Sequence, residues 1–204
     1  MGSLPAKNSW ALTVDNRKTK EKGKPMLDRE NTGLIVVDVQ GKLARLVHDS
    51  DVLIANTVKL VKGAQALGLP IVLVEQNPER LGSTVDELQA LLTGNPAIPK
   101  FTFDACKAPA FLEAIKHANV TTWLICGIEA HICVYQTAQH LHQLGCTVEL
   151  VQDCVSSRAP ENTCLAISKL SSKGIGITGL EMCLYELVED CRADGFKTVL
   201  GLVK

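Results

Sequence analysis

From Asn31 onward, short apolar runs alternate along the chain with amphipathic stretches. Leu34-Ile35-Val36-Val37 is apolar at every position and stops at Asp38, and Pro70-Ile71-Val72-Leu73-Val74 stops at Glu75. Thr122 to Gly127, Thr147 to Val151 and Gly174 to Thr178 are three further runs of this kind. Such runs, without polar alternation, predict strands buried on both faces, as central parallel strands are. Between them the apolar spacing becomes helical. Leu53, Thr57, Leu60, Val61, Ala64 and Leu67 share one face, and Gly68 marks the end of that helix. The same spacing recurs in Phe111, Leu112, Ile115 and Ala118, in Val134, Ala138 and Leu141, in Cys164, Ile167 and Leu170, and in Cys183, Leu184, Leu187 and Val188, the last helix expected. Strands alternating with helices over short links predict a doubly wound α/β sandwich, with a mainly parallel sheet and helices on both faces.

Two segments depart from this rhythm. The stretch 77–103 is broken by Pro78, Pro96 and Pro99, and long irregular connections in such folds tend to carry function. Residues 1–28 lack any apolar period and contain the basic run Arg17 to Lys24. They predict a basic, mobile N-terminal extension ahead of one domain spanning 29–204.

Composition narrows the partners. Twenty-one basic and 22 acidic residues leave a net charge of −1, and aromatic residues make up 4%, so neither a global field nor a stacking surface favours nucleic acid. No run approaches the roughly 18 apolar residues of a membrane helix, so no membrane partner is expected. Eight cysteines are present and none forms a CxxC pair, which argues against zinc knuckles and redox motifs. The N-terminus carries no apolar signal-peptide core, so most of these thiols are expected as small buried hydrophobes in a cytoplasmic protein.

In an open parallel sheet, ligands bind beyond the carboxyl ends of the strands. Cys133 follows the strand break at Gly127 and falls in the first turn of the next helix, where unpaired amides and the helix dipole favour a thiolate nucleophile. A packed structural cysteine fits the same position. Asp38 closes an apolar strand, where a carboxylate needs either a partner or a task. Lys100 is set between Pro99 and Phe101 and, taken alone, reads as a surface charge. Gln40, two residues beyond Asp38, Glu75 at the end of the second run and His131 near Cys133 are candidate substrate contacts. His140 and His142 point to different faces of one helix and do not suggest a shared metal.

Taken together, Leu34-Ile35-Val36-Val37-Asp38-Val39-Gln40, Pro99-Lys100-Phe101 and Cys126-Gly127-Ile128-Glu129-Ala130-His131-Ile132-Cys133-Val134-Tyr135-Gln136-Thr137-Ala138 resemble the isochorismatase-like (cysteine hydrolase) family, from about Asn31 to about Val188. The resemblance implies Cys133 as nucleophile, Asp38 as general base and Lys100 as the cation that holds it. It also implies a cis peptide between Ile128 and Glu129, an oxyanion hole built from the amides of Glu129 and Cys133, and a sixth strand, placed around Ala97 to Phe101. No histidine lies between His48 and His117, where metal-binding relatives carry two, so neither metal nor other cofactor is expected. The implied activity is hydrolysis of a small molecule, at a C–N amide bond, in a homo-oligomer. Two rival readings are a catalytically idle scaffold of the same fold, and an RNA-binding protein or nuclease that uses the basic tail.

Overall fold

The structure, a computed structural model, describes residues 27–204. Residues 1–26 of the expected extension lie outside the described residues. Leu27 is buried in the core and its N–H donates to Glu186 Oε1 at 3.0 Å.

The strands are β1 (Thr32–Val37), β2 (Ile71–Gln76), β3 (Ile98–Lys100), β4 (Thr122–Ile128), β5 (Thr147–Ser156) and β6 (Gly176–Thr178). They form one six-stranded sheet in the order β3-β2-β1-β4-β5-β6, with every pairing parallel. The helices are α1 (Ser50–Ala66), the short α2 (Pro78–Leu81) and α3 (Asp86–Gln89), α4 (Pro109–His117), α5 (Tyr135–Gln143), α6 (Pro160–Ser171), α7 (Leu180–Val188) and α8 (Phe196–Val203). The doubly wound sandwich and its sixth strand agree with the sequence expectation.

Strand alternation divides the apolar residues between two cores. Leu34 and Val36 of β1 face a core completed by α1, α7 and α8, with Leu60, Val61, Leu184 and Val199 among its members. Ile35 and Val37 face the opposite core, where Phe111, Ile115, Ala138, Leu141 and Leu170 come from α4, α5 and α6. Every residue of β1, β2 and β4 is buried, which is why their sequences show no polar alternation.

Three elements differ from expectation. The fourth run continues past Val151 to Ser156, because the ladder between β4 and β5 shifts register between Ile125 and Gly127. Gln152 and Asp153 turn outward at this irregularity, and the interruption disguises the strand's length. The last helix is α8, not α7: its single fully buried residue, Val199, gives a weak periodic signal. The connection 77–103 holds two single-turn helices, with Pro78 at the start of one.

The chain reverses direction across the sheet between β1 and β4. Ligand crevices of doubly wound folds open at such a switch point. Gly127, paired with Val37 there, has φ 118°, and a Cβ on it would lie 2.0 Å from the Val37 carbonyl oxygen. No side chain fits. Gly127→Ala is expected to lower unfolding free energy by about 2–4 kcal/mol, from overpacking and the unfavourable φ. A denaturant midpoint unchanged within about 0.5 kcal/mol would contradict this close approach.

Candidate active site

Three strand ends converge at the switch point. Asp38 follows β1 directly, with φ 53°. Lys100 ends β3, in register with Gln76 at the end of β2. β4 ends at a cis peptide between Ile128 and Glu129. The chain then makes a wide helical turn over Ala130–Val134, which contains Cys133 and continues into α5. The Ile132 and Val134 amides donate to the Glu129 carbonyl at 3.0 and 3.4 Å, closing this turn on itself.

Lys100 Nζ donates to Asp38 Oδ2 at 2.7 Å and to Gln76 Oε1 at 2.7 Å, with a longer contact to the Thr102 carbonyl at 3.4 Å. The side chains of the ion pair are 0% and 3% exposed. Asp38 Oδ1 is buried and has no hydrogen-bond partner among the described residues. The Cys133 thiol lies close enough to Asp38 and Lys100 for both charges to act on it. The structure thus brings the expected thiol, carboxylate and ammonium together.

The protonation pattern differs from the sequence expectation. A cysteine in the first turn of a helix suggests a lowered thiol pKa, yet burial and the Asp38 carboxylate push Cys133 up to about 12, against the opposing pull of Lys100. Sulfur rests as the neutral thiol, because burial and the Asp38 carboxylate together outweigh Lys100. Burial also raises Asp38, outweighing Lys100 and the hydrogen bonds that favour its charged form. A carboxylate raised in this way is a better proton acceptor for a thiol held beside it. Cys133 is buried, at 7% exposure for the whole residue.

The other predicted residues brace the site. Gln40 Oε1 accepts the Gln76 amide at 2.6 Å, while Gln40 Nε2 donates to the carbonyls of Gln76 at 3.0 Å and Gly82 at 2.6 Å. Glu75 Oε1 accepts from the Thr84 amide at 2.6 Å and the Thr84 hydroxyl at 2.7 Å, tying down the 77–103 connection. His131 Nδ1 lies 3.0 Å from Ser157 Oγ. The Glu129 carboxylate accepts the Arg158 amide at 2.9 Å and lies 3.2 Å from the Arg158 guanidinium. Burial pushes Glu129 up, but these Arg158 contacts prevail and hold it below the usual carboxylate range.

Gln76 and Arg158 were not among the predicted site residues. Period-two alternation separates Gln76 from its neighbour Glu75, and the pairing of β2 with β3 places it opposite Lys100. A sequence without strand register gives no reason to prefer Gln76. Arg158 lies 29 residues from Glu129, and only the lengthened β5 brings the two together. A cleft of about 590 Å³ lies elsewhere: Ile54 and Val58 of α1 and Leu202 of α8 help line it, and none of the converging residues does.

If Asp38 accepts the thiol proton, only its ionised form supports attack by sulfur. Alkylation of Cys133 should therefore fall as pH drops through an apparent pKa above the ordinary aspartate range, since burial raises Asp38. Rates measured against pH by mass spectrometry should show this acid limb in the parent and lose it in Asp38→Asn. An identical profile in both proteins would contradict the coupling.

The family model described as the isochorismatase domain matches residues 32–182. The chain is 32% identical over 177 residues to the secreted isochorismatase effector Isc1 of Phytophthora sojae, covering 84% of this chain and 83% of that protein. A solved structure described as MAR1 ribonuclease from Caenorhabditis elegans superposes with TM-score 0.82 at 31% identity, covering 87% of this chain and 91% of that one. The YcaC gene product of Escherichia coli, described as an octameric hydrolase of unknown specificity, gives TM-score 0.83 at 25% identity, covering 90% of this chain and 92% of its own.

Proposed function

Because the chain belongs to the isochorismatase family and has its hydrolase fold, we propose that it is a cysteine hydrolase acting on a C–N amide bond of a small molecule. The observation that carries this reading is the buried contact of Lys100 Nζ with Asp38 Oδ2 at 2.7 Å, with the Cys133 thiol in reach of both. Asp38 takes the thiol proton as Cys133 sulfur attacks the amide carbonyl. The Glu129 and Cys133 amides stabilise the tetrahedral oxyanion. Collapse breaks the C–N bond, Asp38 returns the proton to the leaving amine, and a thioester remains on Cys133. Water, deprotonated by Asp38, then attacks the thioester, and the carboxylic acid leaves as the thiol re-forms. Lys100 keeps Asp38 oriented throughout, and Gln76 keeps Lys100 in place. No metal or other cofactor takes part in this sequence, and the reaction suits the cytoplasm.

The same reading includes a homo-oligomer. Phe101 and Phe103, directly after Lys100, are 73% and 54% exposed, and the similar YcaC product is described as octameric. A second copy over these rings would cover the segment next to Lys100. A second functional reading, a ribonuclease, is favoured by one finding, the similarity to the protein described as MAR1 ribonuclease. Net charge −1 supplies little attraction for a polyanion.

Iodoacetamide should label Cys133 ahead of the other seven cysteines, at a rate that falls by about 100-fold or more in Asp38→Asn. A panel of small primary amides should be hydrolysed by the parent and not by Cys133→Ala. Uniform labelling of all cysteines and no turnover would favour an idle scaffold. Cleavage of RNA that survives Cys133→Ala would favour the nuclease.

A further inference from the structure

The segment after β3 carries a second cluster of chemistry-bearing side chains. Asp104 is 6% exposed and Cys106 3%. Asp104 Oδ1 accepts the Cys106 amide at 3.0 Å, and Asp104 Oδ2 lies 2.7 Å from His140 Nδ1 on α5. One ligand atom from each of Asp104, Cys106 and His140 lies within 4.8 Å of the other two. A cleft of about 330 Å³ adjoins them, with Asp104, Tyr135, Gln136 and His140 on its wall. The reaction proposed above uses none of these three residues. The sequence expectation of no metal turned on histidine spacing, whereas this set combines two chain segments that meet only on folding.

We propose that Asp104, Cys106 and His140 form a site for a divalent transition-metal ion, with Zn2+ the ion best suited to the set. A carboxylate, an imidazole and a thiolate are the donor types that bind Zn2+, and three protein ligands leave a fourth position for water from the cleft. The Cys106 thiol donates to the Thr137 carbonyl at 3.9 Å, a long contact that a metal would replace.

Tetrahedral Zn2+ requires ligand atoms roughly 3.3–3.7 Å apart, so the 2.7 Å contact opens by about half an ångström and the wider separations close. His140, whose side chain is 30% exposed, has room for that movement. On binding, the Cys106 S–H bond breaks, its proton goes to solvent and a sulfur–metal bond forms. Neutral His140 gives its Nδ1 lone pair and carries its proton on Nε2. No oxidation state changes. Such an ion would tie together the two arms of the reactive centre. Thr102, whose carbonyl meets Lys100 Nζ, also donates its hydroxyl to the Asp104 carbonyl at 2.8 Å, and α5 continues from the Cys133 turn.

The test is titration of the reduced, metal-stripped full chain with Co2+, read by absorbance. One equivalent is expected to bind with a thiolate-to-cobalt charge-transfer band and tetrahedral d–d bands, and Zn2+ should displace it. Cys106→Ser should abolish the charge-transfer band, and His140→Gln should weaken binding on the order of 100-fold. Cys133→Ser and Cys164→Ser should keep both features. No stoichiometric band in the parent, or a band lost in Cys133→Ser and kept in Cys106→Ser, would overturn the site. So would unchanged Co2+ affinity in His140→Gln, a substitution at a part-exposed side chain that leaves the core intact.

Discussion

The ion pair between Lys100 and Asp38 organises this molecule. Each charge alone would be strongly disfavoured at such depth, since the effective cost of removing an ion from water is several kcal/mol even after relaxation. Compensation comes from a 2.7 Å contact and from two further acceptors on the same ammonium, Gln76 and the Thr102 carbonyl. Those partners belong to different strand ends and one loop. The pair therefore forms only when β1, β2 and β3 end level with one another, as the parallel registers between them require. Gln40 and Glu75 reinforce that alignment through backbone bonds on either side.

The pair also governs how the sulfur behaves. With the site buried and the Asp38 carboxylate close by, the proton stays on sulfur, and the thiol becomes a nucleophile only through that carboxylate. Such a thiol is ready for a substrate that positions its carbonyl above the turn. The Glu129–Arg158 contact fixes that turn from behind. Arg158 adjoins the end of β5, so its placement depends on the same register shift that lengthens the strand.

Much of this was legible in the chain itself, because burial leaves simple traces. Unbroken apolar runs marked β1, β2 and β4, and helical spacing marked α1, α4, α5 and α6. Asp38 stood out as a charge at the end of a buried run. Cys133 and Lys100 drew their meaning from their order and from the motif around Gly127, since eight cysteines and an isolated lysine carry little information alone. What escaped was whatever depended on register or on distant pairing. Gln76 acquires its role opposite Lys100, Arg158 through a strand longer than its pattern, and the Asp104–Cys106–His140 cluster through packing of the 101–108 segment on α5. The direction of the Cys133 shift escaped for a similar reason. Helix position favours thiolate, but burial and a facing carboxylate, both products of tertiary structure, prevail.

The central claim is that Asp38, Lys100 and Cys133 operate as one coupled unit. A double-mutant cycle on the alkylation rate of Cys133, comparing the parent, Asp38→Asn, Lys100→Met and the combined variant at one pH, addresses it most directly. Coupling predicts that once Asp38 is replaced, the further change at Lys100 alters the rate by less than about threefold, a coupling energy well above the roughly 0.5 kcal/mol typical of independent sites. Additive effects, with each substitution lowering the rate by the same factor in either background, would contradict it.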